Sequence, residues 1–188
     1  MDAIDVVHPV APKAEKWPVI EKLNKERELV GIYLSAHPLD EYSVVLNNMC
    51  NTHCSKIGRN ADMTQLAKAD EVTFGGIVTS VNERFSQKTG KPFGFVTIED
   101  FGGTGELALF GDDWARWNNL LKMNYTVYIT AKCQPRYRNN PELLELKVQK
   151  IEQLYDVKQN RLERFTISMD ATALDDAFVS ELATVIEE

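Results

Sequence analysis

Arg84, Phe85, Lys88 and Lys91 fall within one ten-residue stretch, "ERFSQKTGKP", and Arg136, Tyr137 and Arg138 are consecutive in a second, "QPRYRNNP". Each stretch has a net charge of +2. Guanidinium and ammonium groups can follow a phosphate backbone, and aromatic rings can stack on bases, at roughly 1–3 kcal/mol per base. Phe93 stands just after the first stretch and is either part of such a stacking platform or part of a core. Phe95 is expected in the core.

Other chemistry is weaker. Cys50, His53 and Cys54 in "CNTHC" are three potential zinc ligands, but no second cluster completes a tetrahedral set and Cys133 is far off in sequence. Asp112 and Asp113 are adjacent carboxylates at the start of a helical run, which suits a cap and a dipole partner better than metal ligation. "FGGTG" lacks a following lysine and helix, so it reads as a turn and not a phosphate cradle. No catalytic residue, metal or cofactor is expected.

The whole chain bounds these readings. It has 188 residues, 44% of them hydrophobic and 26% charged, which fits a folded domain with appendages. The net charge of −7 argues against wholesale coating of nucleic acid, but it is unevenly spread. Residues 1–70 are net −2, residues 71–152 net 0 and residues 153–188 net −5. Three cysteines, no membrane-length apolar run and no signal-peptide pattern at the N-terminus suggest a reduced, cytoplasmic setting.

Residues 71–86 are β-branched and carry Gly75-Gly76, which predicts a long strand, bent or bulged at the glycines. "QKTGK" is a hairpin turn. "PFGFVTIED" is a second strand, with Phe93, Phe95, Thr97 and Glu99 on one side and Gly94, Val96, Ile98 and Asp100 on the other. "ELALF" is a third strand and "GDDWARWNNLLK" a short helix, with Asp112 or Asp113 as cap and Trp114 and Trp117 covering a barrel end. "YTVYITAKCQ" and "ELLELKVQKIEQL" are the last two strands, separated by a polar loop.

Three strands, a helix and two strands, with a glycine-bent first strand, is the layout of a five-stranded OB-fold barrel, placed at residues 70–152. The fold class is mainly β with α. An OB-fold brings the two basic loops together over its second and third strands.

Ahead of the barrel, residues 1–16 read as a tail or linker and residues 17–69 as a helical hairpin and connector. One helix is expected over residues 18–36, with Ile20, Leu23, Val30 and Leu34 on an apolar face interrupted by Arg27. Pro38 restricts His37, so a break is expected within residues 35–38. A second helix over 38–50 would carry Leu39, Tyr42, Val45, Leu46 and Met49 on one face. After the barrel, "RFTISMD" reads as a strand and "LDDAFVSELATVIEE" as a helix, the start of a further domain over residues 153–188.

The run "KERELVGIYLSAHPLDEY", then "GGIVTSVNERFSQKTGKPFGFVTIEDFGGTGELALF", then "RFTISMDATALDDAFVSELATVIEE" resembles, in order, the bacterial replicative DNA polymerase III alpha family C-terminal to its polymerase core. The resemblance covers about residues 17–188 and implies a fragment of a longer DNA-directed DNA polymerase. It implies that the two helices join the helix-hairpin-helix part of the polymerase to the OB domain, with Gly31 and residues 36–38 setting the angle. It also implies that the catalytic carboxylates lie elsewhere in the parent chain.

The implied function is non-catalytic binding of single-stranded DNA, the template strand, by Arg84, Phe85, Lys88, Lys91, Phe93, Arg136, Tyr137 and Arg138. Two alternatives remain open. One is an interaction module in which the barrel and the acidic C-terminal segment hold other replisome subunits, with little or no contact to DNA. The other is an anticodon-binding OB domain of the tRNA-synthetase type, which fits the barrel but not the segments around it.

Overall fold

In a computed structural model, the structure describes residues 16–31, 33–59, 61–162, 164, 166, 178–181 and 184. The expected strand and helix of residues 164–188 lie almost wholly outside the described residues.

The centre is one antiparallel sheet in the order β3-β2-β1-β4-β5. Its strands are β1 (Val72–Phe85), β2 (Pro92–Asp100), β3 (Gly103–Phe110), β4 (Thr126–Tyr137) and β5 (Asn140–Gln153). β1 curls the sheet because it changes partner along its length: Val72 to Ile77 pair with β4, and Ile77 to Phe85 pair with β2. The two outer strands are not hydrogen-bonded neighbours, so the barrel is partly open, as in an OB-fold.

The irregularity in β1 falls between Val78 and Ser80, not at Gly75-Gly76. The glycines serve close approach instead. A Cβ on Gly75 would sit 2.8 Å from Leu46 Cδ2, and one on Gly76 would sit 2.3 Å from the Glu99 carbonyl oxygen.

Two other strand boundaries differ from expectation. β3 takes in Gly103 and Thr104, so only Phe101 and Gly102 turn. The polar stretch between β4 and β5 is mostly ladder, because Tyr137 pairs with Asn140 and leaves Arg138 and Asn139 as a two-residue turn.

The alternation of β2 holds: Gly94, Val96, Ile98 and Asp100 are buried, while Phe93, Phe95, Thr97 and Glu99 are only partly covered. Val96 and Ile98 join Phe74, Val78, Leu107, Leu109, Val127, Ile129, Val148 and Ile151 in the main core. α3 (Asp112–Trp117) adds Trp114 and Trp117 to that core. The helix begins from Gly111 with no side-chain cap, so neither aspartate caps it.

The connector, which shows no sequence period, contains 3₁₀ turns at Cys54–Lys56 and Leu66–Lys68 and sends Cys54, Ile57 and Met63 into the same core.

A second apolar cluster lies on the outer side of β1 and β4. Leu39, Tyr42, Val45 and Leu46 meet Ile77 and Tyr128 there, with Leu154 and Val157. The first four come from Leu39, the 3₁₀ turn that follows it (Asp40–Tyr42) and α2 (Ser43–Met49), on the face expected for them, but the α-helix starts five residues after Pro38. Leu154 and Val157 come from α4 (Leu154–Arg161), a helix continuous with β5 that sequence reasoning did not anticipate.

α1 (Val19–Val30) ends earlier than residue 36, at Gly31. Gly31 takes a left-handed conformation (φ 89°), and its N–H closes on the Arg27 carbonyl. Among the described residues from Gly31 to Leu39 none is helical, so the helix is broken through residues 35–38, though the break begins upstream of that corner. Glu26 then stabilises the turn by accepting the Leu34 and Ser35 N–H groups, each at 2.9 Å. Only part of the expected apolar stripe is covered: Leu23 is buried, while Val30 and Leu34 are exposed.

Three consecutive residues at the end of β2 hold this N-terminal segment in place. Glu99 accepts from Arg27 Nη2 at 2.6 Å. Asp100 accepts the Cys54 N–H at 2.9 Å and lies 3.3 Å from His53 Nδ1. Phe101 packs on His37, ring centroids 4.9 Å apart. The Arg27 that interrupts an apolar stripe and the His37 beside a helix-breaking proline thus both have partners in the same β-hairpin.

Candidate nucleic-acid interface

The antiparallel registers lay out the outer face of β1, β2 and β3 in cross-strand rows. Arg84 stands opposite Phe93, and Phe93 opposite Phe110. The next row is Asn82, Phe95 and Ala108, and the third is Ser80, Thr97 and Glu106. The fourth holds Glu99 and Thr104.

Phe93 and Phe110 lie 5.8 Å apart at 24°, a stacked pair, and Phe95 meets both rings edge-on. Phe95 is therefore in an outer aromatic cluster and not in the core, because strand parity places it on the opposite side from Val96 and Ile98. Such ring pairs are held rigid at little entropic cost, which suits a preformed platform.

Both basic stretches meet at this platform. Arg84, Phe85, Ser86, Gln87, Lys88, Phe93 and Phe110 line an open cleft of about 480 Å³. The hairpin that shapes it turns at Gly90 (φ 67°), with the Gly90 N–H donating to the Ser86 carbonyl at 2.8 Å. From the other side, the Arg136 guanidinium lies 5.2 Å from the centre of the Phe110 ring and 5.4 Å from that of Tyr137. Phe110 is thus the junction of the two loops.

Phe110 is 42% exposed and was not among the residues singled out from sequence. The signal was present in "ELALF": if Leu107 and Leu109 point inward, Glu106, Ala108 and Phe110 point outward.

The remaining candidates are less uniform. Tyr137 and Phe85 are exposed, and Arg138 is exposed in the turn. Lys91 reaches sideways to Asp112, 3.1 Å away, so its charge is partly matched within the molecule. Asp113 pairs with Lys147. The two aspartates thus face different lysines.

Behind the platform, Trp114 donates its Nε1–H to Glu83 at 2.8 Å, which holds an acidic neighbour of Arg84 on the other side of the strand. At "CNTHC", burial pushes the Cys50 thiol up to about 12 and the Cys54 thiol higher, so neither is a ready thiolate. His53 and Cys54 instead anchor the connector on Asp100. Among the described residues no three His, Cys, Asp or Glu side chains are grouped to hold a metal ion.

Residues 72–154 match the family described as OB-fold nucleic acid binding domain. DNA polymerase III subunit alpha of Borreliella burgdorferi is 28% identical over 144 residues, 76% of this chain and 12% of that protein. The Vibrio cholerae subunit is 23% identical over 186 residues, 99% of this chain and 15% of that protein. The chain is a relative of bacterial DNA polymerase III subunit alpha.

It spans less than a sixth of the length of these alpha subunits, and the match runs through the helical segment as well as the barrel. A solved structure of mitochondrial single-stranded DNA binding protein Rim1 from S. cerevisiae is 16% identical, with a TM-score of 0.32, over 45% of this chain and 93% of that one. The OB assignment rests on the family match and on the strand order and registers given above.

Proposed function

We propose that the outer face of β2 and β3, with the β1–β2 and β4–β5 loops, binds single-stranded DNA. In that reading the chain is a non-catalytic, template-holding part of a replicative DNA polymerase. The observation that carries this is the continuous run from Arg84 through Phe93 and Phe110 to Arg136, which joins both basic loops to one aromatic platform. Splayed bases can stack on such a platform while the cations follow the backbone; paired bases in a duplex cannot.

The test is fluorescence anisotropy with a labelled oligothymidine and a duplex of equal length. Binding of the single strand several-fold tighter than the duplex is expected. Equal binding, or none, would overturn the reading.

A second reading, contact with other replisome subunits, is favoured by a different place. Leu29, Val30 and Leu34 are exposed around the end of α1. If so, truncating these three side chains should leave oligothymidine binding unchanged and weaken association with a subunit partner.

A further inference from the structure

Two adjacent aspartates open α3, and each pairs with a different lysine. Asp112 takes Lys91 of the β1–β2 loop at 3.1 Å, and Asp113 takes Lys147 of β5. Only the first pair borders the aromatic row. Lys91 comes two residues before Phe93, and Asp112 two residues after Phe110. The Gly111 N–H ties the two segments together by donating to the Pro92 carbonyl at 2.9 Å. The Lys91 stem runs past Gly111, where a Cβ would sit 3.5 Å from Lys91 Cδ. Lys147 stands opposite Lys132 instead, four residues along β4 from Arg136, or about 13 Å.

The run from Arg84 through Phe93 and Phe110 to Arg136 crosses the strands, so a strand bound along it has a flank on either side. One flank is the row of Asn82, Phe95 and Ala108, which is uncharged and carries the half-buried Phe95 ring. The other is the loop side, with Lys88 in the cleft and the Lys91–Asp112 pair. A strand on this path would set its bases over the rings towards Phe95 and its phosphates towards the lysines.

We propose that Lys91 is a phosphate position of this interface and that the Asp112 carboxylate competes for it, as an internal anion that a bound strand must displace. This rests on the nucleic-acid reading above and adds to it a residue that limits affinity. The Asp112 side chain is 93% exposed and does not cap α3, so its pair with Lys91 is solvated and readily exchanged. A phosphate diester carries the same unit charge as a carboxylate. Exchanging one for the other on the ammonium group is therefore nearly even, and the displaced Asp112 still repels the strand.

The experiment is a salt series of anisotropy measurements with labelled oligothymidine. It is run on the parent, Asp112→Asn, Asp113→Asn, Lys91→Ala and the double variant Lys91→Ala with Asp112→Asn. The two asparagine variants remove the same charge from neighbouring residues, so the difference between them isolates Lys91. Lys91 and Asp112 are both exposed, so changes at either should keep the parent's thermal midpoint.

Asp112→Asn should bind about two- to five-fold tighter at ~0.1 M salt, the worth of one exposed ion pair or one phosphate contact. Its slope of log affinity against log salt should steepen by up to about 0.7. Asp113→Asn should gain less than about two-fold, with the parent's slope. Where Lys91 is already alanine, Asp112→Asn should gain no more than Asp113→Asn does.

Equal gains from Asp112→Asn and Asp113→Asn, or no gain from Asp112→Asn, would overturn the competition and leave the binding face standing. So would an Asp112→Asn gain that survives in full without Lys91. Failure of the parent and every variant to bind would overturn the binding face and the competition with it.

Discussion

β2 is nine residues long, and its two ends serve opposite purposes. At the Phe93 end the outer side chains stack on one another, face solvent and gather cations from two loops. At the Glu99 end, each of Glu99, Asp100 and Phe101 is taken up by the N-terminal segment, through Arg27, His53 with the Cys54 N–H, and His37. One strand thus leaves its beginning open to a ligand and uses its finish to fix a neighbouring part of the same chain. The lesson is that chemical type alone does not mark a binding residue. Arg27 and His37 look as functional as Arg84 in the sequence, and only the partner across the fold separates them.

The largest effect is expected at Leu39. Its side chain is fully buried in the second cluster, where the N-terminal segment packs on the outer side of β1 and β4. Leu39→Ala should cost about 3 kcal/mol in chemical unfolding, yet leave the oligothymidine affinity of the folded protein unchanged. A large loss of affinity in the folded variant would mean that the two ends are not independent.

The converse test is Phe93→Ala with Phe110→Ala. Losing two stacking rings should weaken single-strand binding about 100-fold, at roughly 1–3 kcal/mol per base. Stability should fall far less than for Leu39→Ala, because both rings lie outside the core. Anisotropy and unfolding curves on the same samples decide it.

Arg27→Ala should have a smaller effect. The pair with Glu99 is partly solvated, so its loss should cost about 1 kcal/mol in an unfolding curve. It should also leave affinity for oligothymidine unchanged.

The smallest effect is one of pH. Hydrogen bonds from the Ser35 hydroxyl and from the Ser35 and Leu34 amides hold the Glu26 carboxyl down, from its ordinary 4.5 to about 2. A depressed carboxyl contributes its stabilisation above its unfolded value and loses it as pH falls through the folded one. The Leu34 and Ser35 amides should therefore lose protection from exchange between about pH 4.5 and 2. Glu26→Gln should show no such step.

Local pattern carried much of this fold. The alternation of "PFGFVTIED", the Gly90 turn and the buried face of Leu39, Tyr42, Val45 and Leu46 are all periodicities that a short window contains. What escaped was set by pairing at long range. Phe95 left the core because its strand parity puts it beside Ala108 and the two other rings. Phe110 mattered only once Phe93 and Arg136 were beside it. α4 buries just Leu154 and Val157, too short an apolar signal to separate from the strand before it. α1 stopped early because a glycine was free to turn left-handed and Glu26 was placed to take the amides beyond it. At the candidate interface the cationic stretches were legible from local charge, whereas the ring that joins them was not.

On this reading the two basic loops form one site for a single strand. It is tested most directly by a salt series of oligothymidine binding. The comparison is between the parent and a variant with Arg84, Lys88, Lys91, Arg136 and Arg138 all changed to alanine. Each phosphate contact on a single strand contributes about −0.7 to the slope of log affinity against log salt. With Lys91 partly held by Asp112, the parent should show a slope of roughly −3. The variant should fold normally, bind weakly and show a slope near zero. A variant that binds oligothymidine as tightly as the parent at low salt, with the same slope, would mean that the two loops are not the site.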